Sequence, residues 1–150
     1  MKKERNWFME YYILVIIGAV LVAAFFMVIR QPDLDLARKV LSSLAQGRES
    51  IQAVIDWPSF KAMGNDVGAD YEKLPSERQK LYFRKAFVIN FSLSFKASGG
   101  ELRNYGNWRV YSRDKEKTIV AADTVSKKTV LFVISKKYGK SKITEIKLKE

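Results

Sequence analysis

The stretch YYILVIIGAVLVAAFFMVI, from Tyr11 to Ile29, carries no charged residue, and no other feature limits the chain as strongly. At 1.5 Å per residue a helix of that length covers about 29 Å, close to the hydrocarbon thickness of a bilayer. A helix buried in a protein core shows a polar side, whereas this run is apolar all round. A cleavable leader shares the basic start Met1-Lys2-Lys3, but its apolar region is shorter and a small-x-small site follows it. Cutting after Ala24 would leave Phe25-Phe26-Met27-Val28-Ile29 at the new terminus. The run therefore reads as a retained transmembrane anchor over residues 11–30, behind a short tail at 1–10, with Trp7, Tyr11 and Tyr12 as an aromatic belt. Lys2, Lys3 and Arg5 precede it, and Arg30, Arg38, Lys39 and Arg48 follow, so basic residues alone do not orient it. The usual signal-anchor order of short basic tail, span and domain places residues 31–150 outside the cytoplasm. The expectation is a single-pass inner-membrane protein whose domain faces the periplasm or cell exterior.

Residues 31–150 are enough for one hydrophobic core. With 47% hydrophobic and 13% aromatic residues, bulk disorder is excluded. Cysteine and histidine are both absent. That removes disulfides, thiolate nucleophiles, zinc-thiolate sites, the usual neutral-pH general base and the commonest metal ligand. No metal and no cofactor is expected. The net charge of +11 falls mostly beyond residue 30 and favours anionic partners.

Pro32 ends the first helix. DLDLARKVLSSLAQG then sets Leu34, Ala37, Val40, Leu41, Leu44 and Ala45 on one helical stripe that closes at Gly47. ESIQAVIDW has helical spacing at Ile51, Val54 and Ile55, and SFKAMGNDVGADYEKL does so at Phe60, Met63, Val67 and Tyr71, weakened by Gly64 and Gly68. The clearest soluble helix opens at Ser76 with Gln79 in capping-box spacing and closes on Gly99-Gly100. Its stripe reads Leu81, Phe87 or Val88, Phe91 and Phe95. Beyond Gly100 the period shortens: NWRVYS, KTIVAAD, TVLFVISKK and SKITEIKLK are strand-like runs joined by tight turns, which allow only antiparallel neighbours. The predicted fold is α+β: a transmembrane helix, then helices on one face of a curled four-stranded antiparallel sheet.

Little of this sequence carries chemistry. YGKSK at Tyr138–Lys142 lacks the earlier glycine of a phosphate loop, since Ile134 stands there. SRDK at Ser112–Lys115 matches Ser-x-x-Lys but falls in a turn without its companion motifs. Asp56, Asp66, Asp70 and Asp123 lie near apolar segments, and their spacing selects no acid pair. Lys127, Lys128, Lys136, Lys137, Lys140 and Lys142 crowd the last hairpins, either as a solvated face or as a basic patch against a membrane surface. Nucleic acid is not an expected partner.

The order of helices followed by an antiparallel meander resembles the cystatin-like cone of the nuclear transport factor 2-like superfamily, and TVLFVISKKYGKSKITEIKL is similar to its last two strands. IDWPSFKAMGNDVGADYEKLPSERQKLYFRKAFVINF is similar to part of the periplasmic lipid-shuttle (toluene-tolerance) family; together the likeness covers about Ile51 to Leu148. By layout the chain also resembles the inner-membrane scaffold of type IV secretion. The resemblance implies a concave pocket, with Phe87, Phe91 and Phe95 opposite Trp108, Val110, Phe132 and Ile134. The reading is a non-enzymatic, membrane-anchored extracytoplasmic binding or assembly module of the bacterial cell envelope. Its expected partners are the bilayer through residues 11–30, a second copy or an envelope protein, and an apolar ligand or phospholipid. The alternatives are a lipid-binding component of an envelope phospholipid transport system and a small hydrolase with a carboxylate pair.

Overall fold

The structure, a computed structural model, describes the backbone of residues 7–29 and 31–149, and side chains over 11–25 and 31–149. The chain divides into two compact units, Met1–Pro32 and Asp33–Glu150.

In the first unit, α1 runs Trp7–Ile29. Its described side chains are all exposed, and Tyr11, Leu14, Val20, Leu21 and Phe25 are each 60% open or more. Among the described residues no helix is long and apolar enough to cross a membrane. This corrects the transmembrane helix expected over 11–30. The tail at 1–6, Arg30 and the side chain of Trp7, with their charge and belt assignments, lie outside the described residues.

The second unit begins inside α2 (Pro32–Ala45), one residue after its start, and the first turn of that helix carries Asp33 and Asp35. Proline suits this position because its missing N–H is one the first turn leaves unpaired anyway. The helix stops where Gly47 takes φ +68°, and the N–H groups of Gly47 and Arg48 close on Leu44 O and Ser43 O at 3.1 and 2.8 Å. Two 3-10 turns, Glu49–Val54 and Trp57–Ser59, lead into β1 (Lys61–Ala62). Then come α3 (Val67–Glu72), α4 (Glu77–Ala97), and β2 (Tyr105–Arg113), β3 (Lys117–Thr124), β4 (Thr129–Lys137) and β5 (Lys140–Leu148).

The sheet has five strands in the order β1-β5-β4-β3-β2. β2 to β5 form the antiparallel meander, and β1 adds to β5 in parallel through Lys61↔Glu145 and Ala62↔Ile146. The expected four-stranded antiparallel sheet is thus corrected to a mixed five-stranded one. The helical spacing of Phe60, Met63 and Val67 misled because Met63 and Gly64 both adopt left-handed backbone, φ +49° and +85°, which no α-helix carries. Lys61–Ala62 instead reaches the edge of the sheet, and α3 starts only after Asp66, whose Oδ1 accepts from Ala69 N–H at 3.0 Å.

Leu34, Ala37, Val40, Leu41 and Leu44 of α2 and Val88 of α4 pack with Val120, Ala122, Val130, Phe132, Ile134, Ile143 and Ile146 on one sheet face. Leu131, Val133 and Ala121 are buried on the other, so β4 is apolar on both sides as its composition implies.

Candidate functional site: an aromatic groove along the long helix

Ser76 starts α4 by accepting from Gln79 N–H at 3.3 Å. From there Phe83, Phe87, Phe91 and Phe95 recur every four residues and lie on one face. This stripe replaces the expected Leu81, which is exposed. Phe87 is wedged edge-on against Trp57 and Phe60, with centroids 5.6 and 5.4 Å away. Phe91 follows Phe87 at 6.2 Å, Phe95 stacks on Phe91 at 6.4 Å, and Tyr105 stacks on Phe95 at 6.0 Å.

The core covers only part of this row. Along α4 just Val88 and Ser92 are fully buried, and the Ser92 hydroxyl donates to Ala45 O at 2.8 Å, occupying a carbonyl that the end of α2 leaves open. The four phenylalanines stay half-buried. They floor an open groove of about 740 Å³ whose other wall is Ala62, Met63, Asn65 and Val67. The left-handed backbone at Met63 and Gly64 that ends β1 turns the chain into this wall. Asn90, Ser94 and Ser98, also four apart, run beside the rings as a polar rail. Burial raises the Tyr105 phenol above its ordinary value, so it stays neutral at physiological pH.

Three of the seven residues expected to form one pocket, Phe87, Phe91 and Phe95, line this groove; the other four do not. Phe132 and Ile134 have no exposed surface. Trp108 stacks on Phe132 at 5.5 Å with Arg38 over its ring at 5.6 Å, and Val110 is half-buried in β2. The sheet face read as concave and open is the one that α2 fills. Phe83 continues the four-residue series backwards and was legible, whereas Met63 and Tyr105 reach the groove through long-range packing that leaves no local signal.

The six lysines do not form one patch. Lys127 and Lys128 lie in the β3–β4 turn, while Lys136, Lys137, Lys140 and Lys142 lie at the other end of β4, about 27 Å away by strand length. Lys137 donates to Asp56 Oδ2 at 2.9 Å, a bond that raises its pKa. Lys136 stands 3.7 Å from Asp33. Lys142 borders a separate polar cavity of about 420 Å³ with Asp56, Tyr71 and Arg84.

The four aspartates weighed as acids each hold a structural partner. Asp56 takes Lys137, Asp66 caps α3, and Asp70 pairs with Lys73 at 3.1 Å. Asp123 accepts two bonds from Arg109, at 2.7 and 3.1 Å, and one each from Asn107 (2.7 Å) and Thr129 (2.8 Å). The Arg109 bonds first, then Thr129 and Asn107, hold its carboxyl well below the usual range. A depressed carboxylate contributes stability in full above the unfolded pKa, about 4, and loses it as pH falls towards the folded value. Asp123→Asn should therefore lower the urea midpoint at pH 7, and its gap from the parent should narrow steadily below about pH 4. A gap of equal size at pH 7 and pH 3 would rule out this linkage. No carboxylate lines the groove, and among the described residues no cluster of acidic side chains could hold a metal.

No protein-family model, no curated protein and no solved structure matches the chain. The likeness of Ile51–Leu148 to the cone and lipid-shuttle families rests on the sequence pattern alone.

Proposed function

We propose that the protein is a non-enzymatic binding and assembly module held at a membrane, and that its α4 groove receives an apolar segment of a protein partner. The single observation that carries this reading is the row of four phenylalanines left half-buried along an open groove. An aromatic surface of this kind supplies large, rigid apolar contact at low entropic cost. A polypeptide suits it better than an acyl chain, because Asn90, Ser94 and Ser98 offer hydrogen-bonding groups that hydrocarbon leaves idle. The bilayer is the proposed partner of residues 11–30, since the described α1 side chains are apolar and exposed on every side. Holding the domain at a surface raises its effective concentration for partners there, so modest contacts suffice.

A photoreactive side chain placed at Asn90 should crosslink to a protein in the native membrane. Phe91→Ser combined with Phe95→Ser should abolish that adduct while costing about 2 kcal/mol of stability, because both rings are only half-buried. Equal crosslinking in the parent and the double variant would remove the groove from the function.

A further inference from the structure

The chain enters the second unit at Asp33, and the surroundings of that residue single out one end of the sheet. Its carboxylate has a side-chain exposure of only 4% and accepts from Thr118 at 2.9 Å, Arg113 at 3.3 Å and Ser141 at 3.5 Å, with Lys136 at 3.7 Å. Those residues come from β3, β2, β5 and β4, all at the end that carries the β2–β3 and β4–β5 turns. The two turns are tied together there by Lys136 N–H donating to Glu116 O at 2.8 Å.

This end is basic after its internal pairs are counted. Arg113 and Lys136 serve Asp33, and Lys137 serves Asp56. Lys115, Lys117, Lys140 and Lys142 make no ion pair among the described residues. Of the acids on the same tips, Asp114 accepts from Glu116 N–H and Lys117 N–H at 2.8 and 2.7 Å and keeps its negative charge, and Glu116 is open, so two acids stand against the four lysines and the end stays net positive. Tyr138 caps the β4–β5 turn with its side chain fully exposed, between Lys137 and Lys140. An open tyrosine flanked by lysines is the composition that settles at a headgroup boundary.

We infer that this end of the sheet docks on anionic lipid headgroups, with Tyr138 at the boundary and Lys115, Lys117, Lys140 and Lys142 facing the phosphates. The inference rests on the proposal that the bilayer is the partner of residues 11–30. Docking fixes the domain's orientation and keeps the β3–β4 turn, with Lys127 and Lys128, away from the surface.

The chain has no cysteine, so Tyr138→Cys and Val125→Cys each introduce a unique thiol, one at either end of the sheet. Each variant of the full chain, carrying a fluorophore on that thiol, is reconstituted into vesicles of phosphatidylcholine with or without about one third phosphatidylglycerol, and quenched by a headgroup-nitroxide lipid. Position 138 should be quenched strongly in anionic vesicles and weakly in neutral ones, and position 125 weakly in both. Adding Lys140→Gln and Lys142→Gln should lower the docking equilibrium constant about fivefold per lysine. Equal quenching at both positions, or no response at 138 to lipid charge, overturns the docked orientation and leaves the bilayer reading intact. A chain that fails to float with vesicles of either composition overturns the bilayer reading, and this inference with it.

Discussion

Asp33→Ala should destabilise the second unit by about 3 kcal/mol, with the urea midpoint falling and the slope unchanged. The ion pairs are the smaller part of that figure. Arg113 and Lys136 are 49% and 43% exposed, and half-solvated pairs contribute little. The larger part is the Thr118 hydroxyl, which has no exposed surface and would lose the carboxylate it donates to. Loss of a negative charge in the first turn of α2 adds a few tenths of a kcal/mol. Asp33→Asn keeps an acceptor for Thr118 and removes only the charge, so it should cost about 1 kcal/mol. Equal losses in the two variants would place the effect in the charges, contrary to this assignment.

Gly68→Ala should cost about 2 kcal/mol net, against the direction of helix propensity. Within a helix, alanine is favoured over glycine by up to about 1 kcal/mol, and Gly68 lies in the first turn of α3. Here an added Cβ would stand 2.8 Å from the carbonyl carbon of Pro58 and 3.0 Å from Trp57 O, and nearer still to Pro58 O. All three atoms are backbone, so no rotamer change relieves the contact, and overpacking of this kind costs about 3 kcal/mol. The same substitution at Gly106, where nothing lies within 4 Å, is the control and should leave the midpoint unchanged within about 0.5 kcal/mol. Chemical denaturation of the three proteins side by side decides the matter: a gain in stability for Gly68→Ala would mean that α3 does not rest on the Trp57–Ser59 turn.

These two residues also show where the sequence was readable. Gly68 looked like a blemish in a helical stretch over 59–74, because spacing reports periodicity and says nothing of a backbone approaching from elsewhere. Asp33 read only as part of the Gln31-Pro32-Asp33 break after the first helix. Its partners lie between 80 and 108 residues further along the chain, and no local window joins them. Features set by neighbours in the chain were legible: the Ser76 cap, the glycine stop at Gly47, and the four runs that became β2 to β5. β1 is only two residues long and pairs with a strand more than eighty residues away, too short to carry a period. The groove was half legible for the same reason. Its floor is a helical repeat, and its far wall is a parallel strand and a left-handed turn.

The central claim, that the α4 groove is the working surface of a binding module, is tested most directly by native mass spectrometry of the full chain released from its membrane in mild detergent. The account predicts a protein-bound species, a partner or a second copy, that disappears when Phe91→Ser and Phe95→Ser are introduced together. A bare monomer in both samples, or a mass increment equal to one phospholipid that the double variant loses, would contradict it.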